Sequence, residues 1–298
     1  MSPNPPTLEA RRIAVGEVDL SVVDVGEGPA VLLLHGFPDR ASMWEHQIRG
    51  LAAAGYRVIA PDLRGFGDSD RPVGIDSYTA PKILGDILGL LDALGIEDVH
   101  VGAHDWGALV GWVLAGSVPS RVRSLTAFSV GHPRAIAGAG FGQKQLSWYI
   151  LWWQTVGVAE NQLPEEDWKW YRNWAYDGAA RGSDKDLDRQ LRDLERPGAL
   201  TAGLNWYRAN LTPAEFAQTD WVTLRDLPPI VCPVLGIWSD REMALTERQM
   251  TDSARYVAGP WQYERISDVG HWIPAHAPES ATRLLIEHID SVHKGATL

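Results

Sequence analysis

Cysteine is almost absent from this sequence: Cys232 is the single one among 298 residues. One cysteine excludes an internal disulfide, and so little cysteine is typical of a reducing compartment, so we expect a cytoplasmic protein. Long apolar runs are absent as well. No window holds about 18 consecutive apolar residues, the length of a membrane-spanning helix. The first residues, MSPNPPTLEARR, lack the apolar core of a secretory signal.

Positive charge is in short supply. The chain carries 27 Lys and Arg against 38 Asp and Glu, a formal net charge of −11. Nucleic acids and anionic membranes bind surfaces rich in Lys and Arg, so we expect neither as a partner. The sequence also lacks a phosphate-binding glycine loop, a dinucleotide fingerprint and a cluster of metal ligands, and we therefore expect no cofactor and no metal. It leaves the oligomeric state open, a homo-oligomer included.

Segments with strand and helix periodicity alternate along the first half of the chain. Residues 11–28 alternate apolar and polar side chains around Gly16 and predict an antiparallel hairpin. Continuous apolar runs such as AVLLLHG (30–36) and VHVGAHD (99–105) are typical of strands buried on both faces, and helical patterns separate them. This alternation predicts an α/β fold whose central sheet is mostly parallel and flanked by helices.

The alternation stops between about His132 and Leu227. This segment has no clear buried strand, and eight of the fourteen tryptophans lie between Trp148 and Trp221. Amphipathic aromatic side chains suit a lid over an apolar pocket. Strand and helix patterns return with PVLGIWS (233–239). We predict a sheet domain in two parts, residues 1–131 and 228–298, with a helical cap, residues 132–227, inserted between them.

The motif GAHDWGA (102–108) joins a predicted strand to a predicted helix. A sharp turn of this kind between small residues, here Ala103 and Gly107, can expose a nucleophile beside the N-terminus of a helix. The residue at the tip of such a turn is commonly a serine or a cysteine, and in this chain it is Asp105. Two interpretations are open at this point: Asp105 is a nucleophile, or it caps the following helix, which is a common use of aspartate.

Two further motifs favour the nucleophile. HGFP (35–38) follows a predicted strand where a loop can aim a backbone N–H at the nucleophile, so the N–H groups of Phe37 and Trp106 are predicted to form an oxyanion hole. GHW (270–272) places His271 on a loop late in the chain. A histidine in this position fits a catalytic triad whose members follow one another along the chain as nucleophile, acid and histidine. His271 is therefore the predicted base. Of the other histidines, His35 and His104 are expected to pack or hydrogen-bond beneath the site, and His276 has no predicted role.

Together HGFP, GAHDWGA and GHWIPAHAPE resemble the epoxide hydrolase branch of the α/β-hydrolase family. The similarity covers nearly the whole chain, because WYILWWQTVGVAE (148–160) and LNWYRANL (204–211) resemble the cap motifs of soluble epoxide hydrolases. In that family each cap motif contains a tyrosine that points at the nucleophile. The resemblance therefore implies this role for Tyr149 and Tyr207, although aromatic packing would otherwise explain both.

Two carboxylates compete for the third position of a catalytic triad. Counted from Pro233, Glu242 falls where the family usually has aspartate, and Asp240 falls two residues earlier. We predict Glu242 as the acid that orients His271, because its carboxylate can hold the imidazole N–H as aspartate does. Asp240 is the alternative, and the partner is whichever lies within hydrogen-bond reach of His271.

A carboxylate nucleophile limits the chemistry. Attack on an acyl carbon would give an anhydride, whereas attack on a strained or activated sp³ carbon gives an alkyl ester. Water activated by His271 can then cleave that ester at Asp105. An opening epoxide needs a proton or a strong hydrogen bond, which two tyrosine hydroxyls can supply. We expect a small apolar epoxide and water to give a vicinal diol.

Two other functions use the same fold. A haloalkane or haloacid dehalogenase would use the same Asp nucleophile, but such enzymes often carry a side-chain donor where this chain has Phe37, and fluoroacetate dehalogenases carry arginine at the position of Trp106. A catalytically silent small-molecule receptor would not need a nucleophile, a base and two tyrosines. The sequence leaves the natural substrate and the regio- and stereoselectivity open.

Overall fold

A computed structural model of the chain describes residues 8–218 and 227–295, with side chains as far as residue 293. The first seven residues and the last part of the predicted cap, with Trp221, lie outside the described residues. The centre is an eight-stranded sheet. Its strands are β1 (Ala10–Ala14), β2 (Asp19–Val25), β3 (Ala30–Leu34), β4 (Arg57–Pro61), β5 (Val99–His104), β6 (Val122–Phe128), β7 (Val234–Ser239) and β8 (Trp261–Ile266).

The sheet is mostly parallel, as predicted. Its strand order is β1-β2-β4-β3-β5-β6-β7-β8. The β1–β2 hairpin is antiparallel and pairs Ala14 with Asp19, and β2 runs antiparallel to β4. The other neighbouring pairs are parallel. The carboxyl ends of β3, β5, β6 and β7 therefore meet at one edge of the sheet, where α/β proteins place their sites.

Helices cover both faces of the sheet. Helices α1 to α3 lie between the earlier strands, and α12 to α14 follow β7: α1 (Glu45–Ala53), α2 (Ala80–Ala93), α3 (Trp106–Ser117), α12 (Glu247–Thr251), α13 (Ile273–His276) and α14 (Pro278–Gly295). The helices of the described chain between β6 and β7 are α4 (Pro133–Gly138), α5 (Phe141–Leu146), α6 (Tyr149–Trp153), α7 (Val158–Gln162), α8 (Glu165–Ala175), α9 (Lys185–Leu194), α10 (Ala199–Asn210) and α11 (Pro213–Ala217). None of the helices in the described ranges has the length and apolar character needed to cross a membrane.

The strand β3 contributes to two apolar cores because successive side chains of a strand point to opposite faces. Leu32 and Leu34 pack in the cluster that contains the apolar side chains of α2 and α3. Val31 and Leu33 pack in a second cluster, with α1 and α14. This explains the continuous apolar run in the sequence. A strand covered on both faces holds the loop that follows it in a fixed position.

The helices between β6 and β7 join the first of these two clusters. Leu187 and Leu191 on α9 and Leu204 and Trp206 on α10 are fully buried there. The indole N–H of Trp206 donates to the backbone carbonyl of Arg64 at 3.1 Å, which ties α10 to the sheet domain. This helical segment lies where the sequence predicts an inserted cap. The boundaries at residues 132 and 227 and the role of a lid remain predictions.

Candidate active site

Asp105 occupies the turn between β5 and α3. Its backbone has φ 53° and ψ −124°, a conformation that non-glycine residues rarely adopt and that costs of order 1–3 kcal/mol. Its side chain makes no capping hydrogen bond to α3, so the helix-cap interpretation is wrong. A Cβ at Gly107 would lie 2.2 Å from the backbone oxygen of Leu34, so this turn requires glycine there. Tight packing against β3 holds the turn in its strained form.

The loop after β3 faces the carboxylate of Asp105. The backbone N–H of Phe37 donates to Oδ1 of Asp105 at 2.7 Å. The N–H of Trp106 helps to keep the pKa of this carboxylate below its usual value. A Cβ at Gly36 would lie 2.1 Å from Oδ1, so only glycine lets the loop approach so closely. Of the two N–H groups predicted for an oxyanion hole, that of Phe37 is hydrogen-bonded to Asp105, and that of Trp106 belongs to the next residue, at the start of α3.

His271 lies between two carboxylates. Its Nε2 is 3.5 Å from Oδ2 of Asp105, and its Nδ1 donates to Oε2 of Glu242 at 2.7 Å. The side chain of Glu242 is completely buried, and its other oxygen accepts the N–H of Ala244 at 2.9 Å. Asp240 is turned away: its Oδ1 accepts the N–H of Asp268 at 2.7 Å. Of the two candidate acids, the structure thus brings Glu242 to the histidine.

The charges of this group are coupled. Burial alone would lower the pKa of His271, but the carboxylates of Glu242 and Asp105 outweigh burial and raise it to about 10. Burial alone would raise the pKa of Asp105, but the hydrogen bond and charge of His271 hold it below its usual value. In the free protein Asp105 is therefore ionised and His271 protonated at neutral pH.

The two cap tyrosines lie directly above this group. Tyr149 begins α6 and Tyr207 lies on α10, with their rings 6.1 Å apart at 78°. The ring of Tyr207 also packs edge-on against Trp106 and Phe37, at 5.0 and 5.7 Å. Burial, and then the charge of Asp105, raise the pKa of both hydroxyls well above the usual value. Both hydroxyls therefore keep their protons and can donate hydrogen bonds.

Two cavities lie against Asp105, and Tyr149 and Tyr207 line both of them. The wide cavity encloses about 940 Å³ including its mouth and runs along α3 past Leu109 and Val113. The narrow one encloses about 240 Å³ and is walled by His271, Trp272, Trp174, Tyr171 and Met243. The polar side chains Ser147 and Asn210 of the wide cavity are already hydrogen-bonded within the protein. A bound molecule would thus meet mostly apolar surface, with Asp105, His271 and the tyrosines as the polar groups that face it.

The buried histidines beneath the site are structural, as predicted. Nε2 of His35 accepts the N–H of Leu63 at 2.9 Å, and Nε2 of His104 donates to the backbone carbonyl of His271 at 2.9 Å. Sequence reasoning missed Ser129, whose hydroxyl donates to the same carbonyl at 2.7 Å. Ser129 directly follows β6, and its place at the carboxyl end of a strand was the available signal. His104 and Ser129 together fix the backbone on which the base stands.

His276 lies outside this site. Its Nε2 is 3.8 Å from Oδ2 of Asp184, and Asp186 is close by, so three side chains that can ligate a metal lie together there. Both carboxylates already have protein partners: Asp184 caps α9, and Asp186 pairs with Arg189 at 2.5 Å. This group was not predicted from the sequence, because His276 lies far along the chain from Asp184 and Asp186.

Known proteins with the same fold carry epoxide hydrolase names. Residues 29–278 match the family described as alpha/beta hydrolase fold. Epoxide hydrolase A of Mycobacterium tuberculosis is 32% identical over 94% of this chain and 96% of its own length. Epoxide hydrolase B of the same organism is 30% identical over 88% of this chain and 92% of its own. The crystal structure of epoxide hydrolase A from Mycobacterium thermoresistibile superposes with a TM-score of 0.80 and 29% identity, covering 95% of this chain and 98% of that one.

These similarities extend over nearly the whole length of both partners, so they include the sheet domain and the helices between β6 and β7. The family and the architecture expected from the motifs are thereby confirmed. The chain belongs to the α/β-hydrolase family and, within it, to the epoxide hydrolases.

Proposed function

We propose that this protein adds water to epoxides to give vicinal diols, through an alkyl ester on Asp105. One observation carries the proposal. Oδ1 of Asp105 accepts a backbone N–H at 2.7 Å while its Oδ2 lies 3.5 Å from His271, and two buried tyrosines line the same cavities. A carboxylate with one oxygen held by a backbone N–H and the other facing the base and the cavities is suited to displacement at carbon.

In the first step Oδ2 of Asp105 attacks one ring carbon. The new ester bond forms as a ring C–O bond breaks, and its electron pair goes to the ring oxygen. Tyr149 and Tyr207 are the proposed donors of a hydrogen bond and a proton to that oxygen, because their raised pKa keeps both hydroxyls protonated. The product of this step is a hydroxyalkyl ester of the enzyme.

In the second step water cleaves the ester. Alkylation removes the charge of Asp105 and with it part of what raises the pKa of His271, so the imidazolium can give its proton to the tyrosinate left by the first step and then act as a base. The activated water attacks Cγ of Asp105. The N–H groups of Phe37 and Trp106 hold the oxyanion that forms, and Glu242 stabilises the imidazolium. Collapse releases the diol, which takes the remaining proton of the attacking water, and His271 keeps the other proton as the imidazolium of the free enzyme.

The substrate that we propose is a small apolar epoxide, supported by the apolar walls of both cavities. The segment 132–227 is the proposed lid over that substrate. A dehalogenase is not favoured, because Phe37 offers no side-chain donor to a departing halide. The single cysteine supports a cytoplasmic location. Assembly into a homo-oligomer stays a prediction, which light scattering in solution tests.

The test is diol formation from a panel of epoxides that includes styrene oxide. We expect Asp105→Ala to abolish diol formation, and Tyr207→Phe to lower it by about ten- to a hundredfold since Tyr149 remains. The matched control is Asp240→Asn, which alters a carboxylate outside the site and should keep wild-type turnover. Normal turnover by Asp105→Ala would exclude the mechanism. Halide release from chloroalkanes without any diol would instead favour a dehalogenase.

A further inference from the structure

A buried ion pair joins the helical segment between β6 and β7 to the loop after β3. We call this loop, residues 35–39, the oxyanion loop, because its Phe37 N–H contacts Asp105. Asp39 is almost completely buried, and its Oδ1 pairs with the guanidinium of Arg189 on α9. Arg189 also binds Asp186 at 2.5 Å, so its charge is shared by two carboxylates. Asp39 follows Phe37 by two residues, and its N–H closes the turn on the carbonyl of Gly36 at 2.9 Å. Any movement of this ion pair would therefore move the N–H that contacts Asp105.

Gln190 extends this contact. It is fully buried, and its Nε2 donates to Oδ2 of Asp39 at 3.0 Å. Its Oε1 accepts the hydroxyl hydrogens of Tyr171 at 2.5 Å and Tyr176 at 3.0 Å. A carboxylate only accepts hydrogen bonds, so the amide can take only this orientation. Both polar atoms of the Gln190 side chain are thus hydrogen-bonded: Nε2 to the loop, and Oε1 to two tyrosines of the helical segment.

Tyr171 and Tyr176 connect Gln190 to the neighbourhood of Asp105 and His271. Tyr171 walls the narrow cavity together with Asp105 and His271. The ring of Tyr176 stacks on Trp272 at 4.8 Å and 19°, and Trp272 directly follows His271. Gln190 is therefore linked on one side to the loop that carries the oxyanion donor and on the other side to the loop that carries the base.

A buried ion pair is weak evidence for stability, because the desolvation of the charges offsets their attraction. Charge-assisted hydrogen bonds do, however, fix distances and directions. We propose that Asp39, Arg189 and Gln190 form a positioning network that holds the oxyanion loop in register with His271, so that docking of α9 sets the rate of ester hydrolysis. The inference rests on the proposed function, because it assigns the network to the second of the two chemical steps.

The experiment compares Arg189→Met with Arg196→Met. Arg196 pairs with Asp68 at 2.7 Å and donates to the carbonyl of Gly67, so it also joins the helical segment to the sheet domain, at a place outside residues 35–39. Steady-state diol formation from styrene oxide gives kcat and KM, and intact-protein mass spectrometry of quenched reactions gives the fraction of enzyme that carries the alkyl ester. Thermal unfolding is recorded for each variant, since removal of one partner leaves a buried charge unpaired.

We expect Arg189→Met to lower kcat by about tenfold or more, as loss of oxyanion contacts does. Its KM should change less than kcat, and its alkylated fraction should exceed that of the wild type. Arg189→Lys should recover most of kcat, and Arg196→Met should match the wild type. Asp39→Asn, which keeps an oxygen for Gln190 but loses the charge, should reproduce the accumulation of ester and add little to Arg189→Met in the double variant.

An unchanged alkylated fraction in both Arg189→Met and Asp39→Asn would overturn the inference, because a loss of folded protein lowers the total activity without altering the balance between the two steps. If the wild type forms diol and these variants behave like Arg196→Met, only the network is excluded. If the wild type forms no diol from any epoxide, the proposed function fails and the inference fails with it.

Discussion

At the scale of single residues, the site works by opposed charges held in fixed positions. Glu242 and Asp105 keep a proton on His271, and His271 keeps Asp105 ionised. In the proposed mechanism, alkylation of Asp105 cancels one of these charges, so the change that ends the first step also prepares the base for the second. Glu242 keeps its contact with His271 in both steps, so it is the main group that raises the pKa of His271 during the proposed hydrolysis.

The charge of Glu242 predicts the pH dependence of hydrolysis. In Glu242→Gln the hydrogen bond can remain but the charge that raises the pKa of His271 is lost, so that pKa falls. The base acts in its unprotonated form, and the acid limb of kcat should therefore move to lower pH. The plateau should fall by about tenfold or more, because the imidazolium is less well stabilised. The measurement is kcat between about pH 5 and 9.

Asp240→Asn serves as the control for this pH profile, since Asp240 lies two residues before Glu242 and its carboxylate accepts the backbone N–H of Asp268 without contacting His271. Its acid limb should coincide with that of the wild type. A limb that stays in place in Glu242→Gln, or moves to higher pH, would contradict the assignment of Glu242.

At the scale of elements, the contact of α10 with the oxyanion loop decides how the cap meets the site. Gly203 of α10 faces the ring of Phe37, and a Cβ at that position would lie 2.7 Å from the ring. The same helix carries Tyr207 about one turn further on. A side chain at Gly203 would therefore push either the tyrosine or the oxyanion loop out of place.

This contact predicts opposite effects of one substitution at two glycines. Gly85 lies in α2, and a Cβ there would meet no atom within 4 Å, so Gly85→Ala should raise the free energy of unfolding by up to about 1 kcal/mol through helix propensity. Gly203→Ala should lower it by about 1–3 kcal/mol through overpacking and should also reduce diol formation. Denaturant unfolding and initial rates measure both. A stabilised, fully active Gly203→Ala protein would refute the close contact.

Much of the element order was predictable because its signals are local. The hairpin at Gly16, the apolar run of β3 and the small residues around Asp105 each depend on neighbours in the sequence. The contacts of the cap are different. Asp39 meets Gln190 across 151 positions of sequence, and nothing in the periodicity of either segment pairs them. The choice between Asp240 and Glu242 likewise depends on loop geometry, which only the coordinates supply.

At the scale of the whole molecule, the two cavities are unequal. Asp105, the proposed nucleophile, lies where a space of about 940 Å³ and one of about 240 Å³ converge. Indole and phenol rings wall the narrow side, whereas aliphatic side chains of α3 extend the wide one. This shape favours an epoxide with one large apolar substituent and little bulk on the other ring carbon, since the large group fits only on the wide side.

Filling the far part of the wide cavity tests this asymmetry. Val113 lies on α3 seven residues beyond Trp106, about 10 Å along the helix at 1.5 Å per residue, so Val113→Phe should shorten the cavity without reaching Asp105. We expect kcat/KM to fall by about tenfold or more for long-chain terminal epoxides, because a buried substituent of several methylenes loses about 0.8 kcal/mol for each one displaced. Styrene oxide should lose less than about threefold. Val156→Phe, at an exposed cap position, controls for the added ring and should leave both substrates unaffected. Equal losses for long and short epoxides in Val113→Phe would mean that the large substituent does not lie along α3.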